Sequence, residues 1–73
     1  MQETVLGNMV YRIYDLRELS PDVRVAIEQA AIGSAARETG KPENQVGRYF
    51  SDRKQIFVVY DIGLARTTEG DQM

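Results

Sequence analysis

The sequence predicts a small α+β domain: an N-terminal strand, two or three short helices, and a C-terminal strand that completes a small antiparallel sheet. Three observations predict it. Residues 9–16 (Met-Val-Tyr-Arg-Ile-Tyr-Asp-Leu) and 55–62 (Gln-Ile-Phe-Val-Val-Tyr-Asp-Ile) are runs of β-branched and aromatic side chains, the composition of strands. Between them, Ser20-Pro21-Asp22 is a helix start. Ser offers an N-cap oxygen, Pro fits the first helical position with its fixed φ, and Asp favours the positive end of the helix dipole.

Taken in order, residues 1–8 contain Gly7-Asn8, a hairpin-type pair, but the residues upstream make a poor partner strand, so the segment reads as a flexible lead-in. Met9–Leu16 alternates loosely, as a strand does when it is covered on one face and partly on the other. After Ser20, the apolar residues Val23, Ala26, Ile27, Ala30 and Ala31 keep a 3.6-residue period and form the face expected to pack inward, with Asp22, Arg24, Glu28 and Gln29 on the other side. The pattern continues through Ala35 and Ala36 to Thr39, with Gly40 as a left-handed cap, which would make one long helix. Gly33-Ser34 interrupts it. An interior Gly costs ~1 kcal/mol against Ala and Ser is a competent new N-cap, so one helix is expected to end here and another to begin.

Lys41-Pro42-Glu43-Asn44 carries a second start signal, with Pro at an N1-like position and Glu in the first turn. A third helix over about residues 42–51 would align Val46, Tyr49 and Phe50 on one face. The competing reading makes Gln45–Ser51 a strand that turns at Asp52-Arg53 into the next one, and Gly47 weakens both. The last strand, Gln55–Ile62, is apolar on both faces, with Ile56, Val58 and Tyr60 on one and Phe57 and Val59 on the other. One layer of short helices covers only one face of a small sheet. A second copy of the chain is the economical cover for the other, which predicts a homodimer through Ile56, Phe57, Val58, Val59 and Tyr60. Residues 9–64 then form the single domain and residues 65–73, which have almost no apolar content, a disordered tail.

Composition narrows the function. The 73 residues hold no Cys and no His, which removes disulfides, thiol nucleophiles, and the commonest general base and zinc ligand. The acidic residues Asp15, Glu18, Asp52 and Asp61 are scattered, no glycine-rich phosphate loop exists, and no metal-ligand spacing occurs. Strand-end turns and caps are their expected roles, and neither an enzyme nor a cofactor or small-molecule substrate is expected. A chain of this size without a staple rarely gains more than ~3–5 kcal/mol from its own core, which again favours oligomerisation. The N-terminus lacks the basic start and apolar core of a signal peptide, and no run approaches the ~18 apolar residues of a membrane span, so a cytoplasmic protein with no membrane partner is expected.

Residues 32–50 have the spacing of a helix-turn-helix: small Ala36 where the helices cross, Gly40 in the turn, and branched Val46 plugging the angle between them. The run from Ala36-Arg-Glu-Thr-Gly40 through Val46 and Phe50 to Arg53-Lys54-Gln-Ile56-Phe57-Val-Val, then Asp61-Ile-Gly63, resembles the Cro repressors of lambdoid phages over about residues 32–63. The chain departs from that family at Thr39 and Lys41, where apolar residues are usual, and in its acidic balance. The resemblance implies a dimeric transcriptional repressor that binds double-stranded DNA. Glu43, Asn44 and Arg48 fall on the base-reading positions, where Glu could accept from a cytosine amino group, Asn could bond adenine and Arg guanine. Arg37, Lys41, Arg53 and Lys54 would contact phosphates. The net charge of −2 conceals a mildly basic centre, +2 between Arg37 and Lys54 against −4 elsewhere. A ribbon-helix-helix repressor, reading DNA through Tyr11 and Arg12, is a neighbouring resemblance that the long final strand fits poorly.

The reading from another class is a small dimeric α+β module that binds protein and not nucleic acid, through the edge of strand Gln55–Ile62 or through Tyr11, Tyr14 and Tyr60. The two readings divide on one point. DNA binding needs a break at Gly33-Ser34 and a helix at residues 45–50, and the interaction module predicts one long helix followed by a hairpin over residues 45–62.

Overall fold

The structure is a computed structural model that describes residues 1–64, so the expected disordered tail at 65–73 lies outside the described residues. Strands β1 (Gln2–Leu6) and β2 (Met9–Asp15) form a hairpin, helix α1 (Pro21–Thr39) follows, and a single 3-10 turn at Glu43–Gln45 leads into a second hairpin of β3 (Gly47–Ser51) and β4 (Ile56–Asp61). The four strands make one antiparallel sheet in the order β1-β2-β4-β3. The fold is α+β as expected; among the described residues Pro21–Thr39 is the one full α-helix, residues 63 and 64 are also helical, and the expected helix over residues 42–51 is absent.

The helix begins and ends where its capping residues require. Ser20 Oγ accepts from the Val23 N–H at 3.4 Å, Pro21 occupies the first turn, and Gly40 closes the helix at φ 74° with its N–H on the Ala36 carbonyl at 2.9 Å. The helix runs unbroken through Gly33-Ser34. Ser34 does not cap a new helix: its hydroxyl donates to the Glu38 carboxylate one turn on, at 3.2 Å. Gly33 is buried, with Arg37 and Glu43 side chains about its α-carbon. The packing of Ala31, Ala35 and Ala36 on the sheet carries the helix through this position despite the ~1 kcal/mol propensity cost of glycine. The inward stripe is also displaced from the expected one. Ala31, Ala35 and Ala36 are buried and Ile27 and Ile32 pack beside them, whereas Val23, Ala26 and Ala30 are exposed. The first turn of α1 is tied to the strand ends instead by Arg24, which donates to the Leu16 carbonyl at 3.3 Å and to the Gln55 side chain.

Two further segments depart from expectation for the same reason, the demand of backbone groups for partners. Residues 1–8 are no loose lead-in. Gln2–Leu6 pairs with β2 from Gln2↔Ile13 to Leu6↔Met9, across a turn in which Gly7 takes φ 63°. The third helix expected over about residues 42–51 is reduced to the 3-10 turn at Glu43–Gln45. Gly47–Ser51 pairs along β4 from Gly47↔Tyr60 to Ser51↔Ile56, and the edge that β4 would otherwise leave bare is satisfied. The helix-turn-helix is therefore not formed, and the discriminating segment is the hairpin.

Strands alternate sides, and residues directly opposite in the ladder share a side, so the register divides the sheet cleanly. Val10, Phe57 and Val59 face α1 and form the core with Leu16, Ala31, Ala35, Ala36, Val46 and Leu64, with Tyr14 beside it. Phe57 and Val59, expected at a dimer interface, are 3% and 0% exposed beneath the helix of their own chain. Among the described residues no helix is long and apolar enough to cross a membrane.

Candidate interaction surface

The site is the side of the sheet that faces away from α1. Two cross-strand rows fill its middle: Gln2, Ile13, Val58 and Tyr49 in one, Thr4, Tyr11, Tyr60 and Gly47 in the next. Leu6 and Met9 continue it at one end, and Asp15, Ile56 and Ser51 at the other. A shallow groove of about 450 Å³ runs across it, lined by Thr4, Leu6, Tyr11, Ile13, Tyr49, Val58 and Tyr60. Tyr49 and Leu6 project from the edge strands, 59% and 62% exposed, while Val58 at the centre is only 8% exposed between its neighbours.

The rings are placed by a glycine. A β-carbon on Gly47 would meet Tyr60 Cε2 at 2.5 Å, so the Tyr60 ring lies on the backbone of β3 where any side chain would lift it. Tyr11, opposite Tyr60 on the other flank, packs against that ring with centroids 5.7 Å apart and planes inclined at 34°. Gly in a strand weakens it unless an aromatic neighbour covers the exposed backbone, and Tyr60 does so here.

The distribution of charge is the reverse of the usual one. An antiparallel sheet with one covered face ordinarily turns polar residues to water on the other. Here Glu3, Arg12, Arg48 and Asp61 all lie on the helix side, and on the open side only Asp15 is charged, at one end. The helix-side charges are neutralised locally. Arg12, 9% exposed, bridges two elements: both terminal nitrogens of its guanidinium bond Glu38 of α1, Nη2 to Oε1 at 3.0 Å, and Nε donates to Glu3 of β1 at 3.1 Å. The hydrogen bonds from Arg12 hold the Glu38 carboxyl below the ordinary range against the opposing effect of burial. Tyr14, beside this cluster, has its phenol pushed up mainly by desolvation. Asp61 accepts from Lys41 Nζ at 2.6 Å and from the Gly63 N–H at 2.7 Å.

The expected DNA-contacting residues do not assemble into one surface. Glu43 and Asn44 sit in the 3-10 turn. The Arg48 guanidinium is turned back onto the Glu43 carbonyl and, at 3.2 Å, the Val46 carbonyl. Lys41 is committed to Asp61, and Arg37 lies in the last turn of α1 over Gly33. Glu43, Asn44 and Arg48 therefore fall together about the 3-10 turn, with Arg37 beside Glu43, while Arg53 and Lys54 form a separate pair in the β3–β4 turn, where with Arg17 and Asp15 they rim one end of the open face. The ribbon reading fares no better geometrically, since Arg12 is buried under the helix and Tyr11 faces the opposite way. The edge expected at Gln55–Ile62 is not an edge, because β4 is central. The acidic residues do close turns: Asp15 Oδ1 accepts from the Arg17 N–H at 3.0 Å, and Asp52 accepts from the Gln55 side chain.

Of the expected site residues, Ile56, Val58, Tyr60 and Tyr11 are brought together on the open face. Ile13, Tyr49, Thr4 and Leu6 were missed. Ile13 lay in the expected first strand, on the same side as Tyr11; Thr4, Leu6 and Tyr49 carry no local signal, because neither residues 2–6 nor residues 47–51 alternate, and their placement depends on both segments pairing as strands. Compared with protein-family models, with curated proteins and with solved structures, the chain matches none.

Proposed function

We propose that the protein is a small non-enzymatic interaction module, and that it works as a polypeptide-binding domain through the open face of its sheet. One observation carries the reading: the face turned away from the helix holds three of the four tyrosines and, among its strand residues, a single charge, Asp15 at one end, while the helix side holds the Arg12 ion pairs. Depletion of charge with enrichment of tyrosine is the signature of the centre of a protein interface. A groove walled by Tyr49 and Leu6 with Val58 and Ile13 at its floor offers such an interface relief as well as apolar area.

The DNA-binding alternative lacks, among the described residues, the helix it needs at residues 45–50, and its base-reading arginine is occupied by backbone carbonyls. The experiment that separates the classes is retention by a pool of DNA duplexes at several salt concentrations, with Arg48→Ala and Asn44→Ala as controls. The folded protein is expected to pass unretained at low salt. Salt-sensitive retention that both substitutions abolish would instead establish DNA binding.

A further inference from the structure

We infer that the occupant of the open face is a second copy of this chain, stacked sheet on sheet as a two-fold dimer with an aligned β-sandwich core. The inference rests on reading that face as an interaction surface and names its partner.

Three observations point to self-association. First, the middle of the face can meet itself without an electrostatic penalty. Its charges lie at one end, where Asp15 pairs with Arg17 at 2.7 Å and Arg53 and Lys54 stand beside them at the rim, so a contact centred on the two middle rows leaves them in solvent. A two-fold contact requires a self-complementary surface, and an uncharged centre of projecting Tyr49 and recessed Val58 meets that demand. Second, helix α1 contributes only alanines to the fully buried apolar residues, so the enclosed large side chains of the core, Val10, Leu16, Val46, Phe57, Val59 and Leu64, all come from outside that helix. The open face holds a further set of large side chains, Tyr11, Ile13, Tyr49 and Tyr60, that the chain's own helix does not cover. A domain of this size without disulfides needs more apolar burial than the helix side supplies, and an identical chain is the one partner present whenever it folds.

Third, the dimensions suit it. At ~4.8 Å between strands and ~3.3 Å per residue, the face measures ~19 by ~18 Å in plan. That is ~340 Å² in plan, and side-chain relief brings the accessible area at most to the lower end of the ~600–1,000 Å² per partner typical of specific interfaces, the size of a weak contact, so the dimer should dissociate at micromolar concentration or above. Stacked sheets sit ~10 Å apart. The Tyr60 ring lying down over Gly47 keeps the centre of the face low enough for that approach.

The test combines sedimentation velocity of the full chain from ~1 to ~500 μM, a range that spans the expected dissociation constant, with photo-crosslinking from a benzophenone amino acid replacing Tyr49 and, as control, Gln29 on exposed helix surface. The inference expects a concentration-dependent dimer, a twice-mass adduct from position 49 and not from 29, and at least a tenfold weaker dimer in Tyr49→Lys. Thr4→Lys, a second edge-strand substitution on the same face, repeats the measurement should the first variant misfold. Adducts from position 49 to a different polypeptide in cells, with a monomer at all concentrations, would overturn the second copy and leave the interaction module standing. A monomer that crosslinks to nothing would overturn both. A dimer indifferent to both lysine substitutions would place the contact elsewhere and overturn the inference.

Discussion

The ring of Tyr60 lies against the backbone of Gly47, its cross-strand partner, at a distance that leaves no room for a β-carbon. A small residue at the sheet edge thereby sets the height of an aromatic surface one strand away. Gly47→Ala should lift the ring and cost about 1 kcal/mol through forced repacking, since the ring end can swing toward solvent. NMR checks it directly. The Gly47 α-protons should carry an upfield ring-current shift that disappears in Tyr60→Leu.

Gly33 behaves in the opposite way. A β-carbon there would meet its nearest neighbours, Arg37 Nη1 and Glu43 Oε2, at 3.5 and 3.8 Å, which is ordinary contact. Gly33→Ala should therefore stabilise the protein by the helix-propensity difference of about 1 kcal/mol. Calorimetry should show a melting temperature higher by roughly 4–8 °C. A decrease would mean that the backbone at Gly33 is not helical.

The Arg12–Glu38 pair makes stability fall in acid. Because hydrogen bonds from Arg12 lower the Glu38 carboxyl in the folded state, its contribution is present above the ordinary value of 4.5 and is lost as pH falls through and below it. Denaturant titrations from pH 7 to 2 should show this loss, and in Glu38→Gln the acid limb should be shallower. Asp15, held at about 2 by Arg17 but fully exposed, should change the limb little when replaced by Asn. Arg12→Ala, which strands two carboxylates, should cost about 3 kcal/mol at pH 7.

Phe57 and Tyr49 separate folding from association. Phe57→Ala opens a cavity beneath α1 and should cost about 3–5 kcal/mol, equally at low and high protein concentration. Tyr49→Ser, at an exposed edge, should change the stability of the dilute protein by less than about 0.5 kcal/mol. Its effect should grow with concentration as the dimer contributes.

Helix α1 shows what local chemistry can decide. Ser20, Pro21 and Gly40 mark its ends because caps satisfy backbone groups within a few residues. The β-branched runs at β2 and β4 declare themselves because extended backbone suits those side chains anywhere. Gly33-Ser34 and Pro42–Asn44 misled for the complementary reason. Their local preferences, worth ~1 kcal/mol each, are outweighed by packing against a sheet that local sequence does not reveal.

By itself, then, the sequence determined that this chain is α+β, where its helix starts, that Gly40 can cap it, and which two runs are strands. All of that follows from interactions spanning at most a turn or two. Only the tertiary structure decided that β4 lies between β2 and β3, because a strand's neighbours are chosen by long-range hydrogen bonding. That choice sends Phe57 and Val59 under the helix and leaves Tyr11, Val58 and Tyr60 outside. The two-faced apolar strand was visible from the start; which of its faces awaits a partner depended on where α1 came to rest.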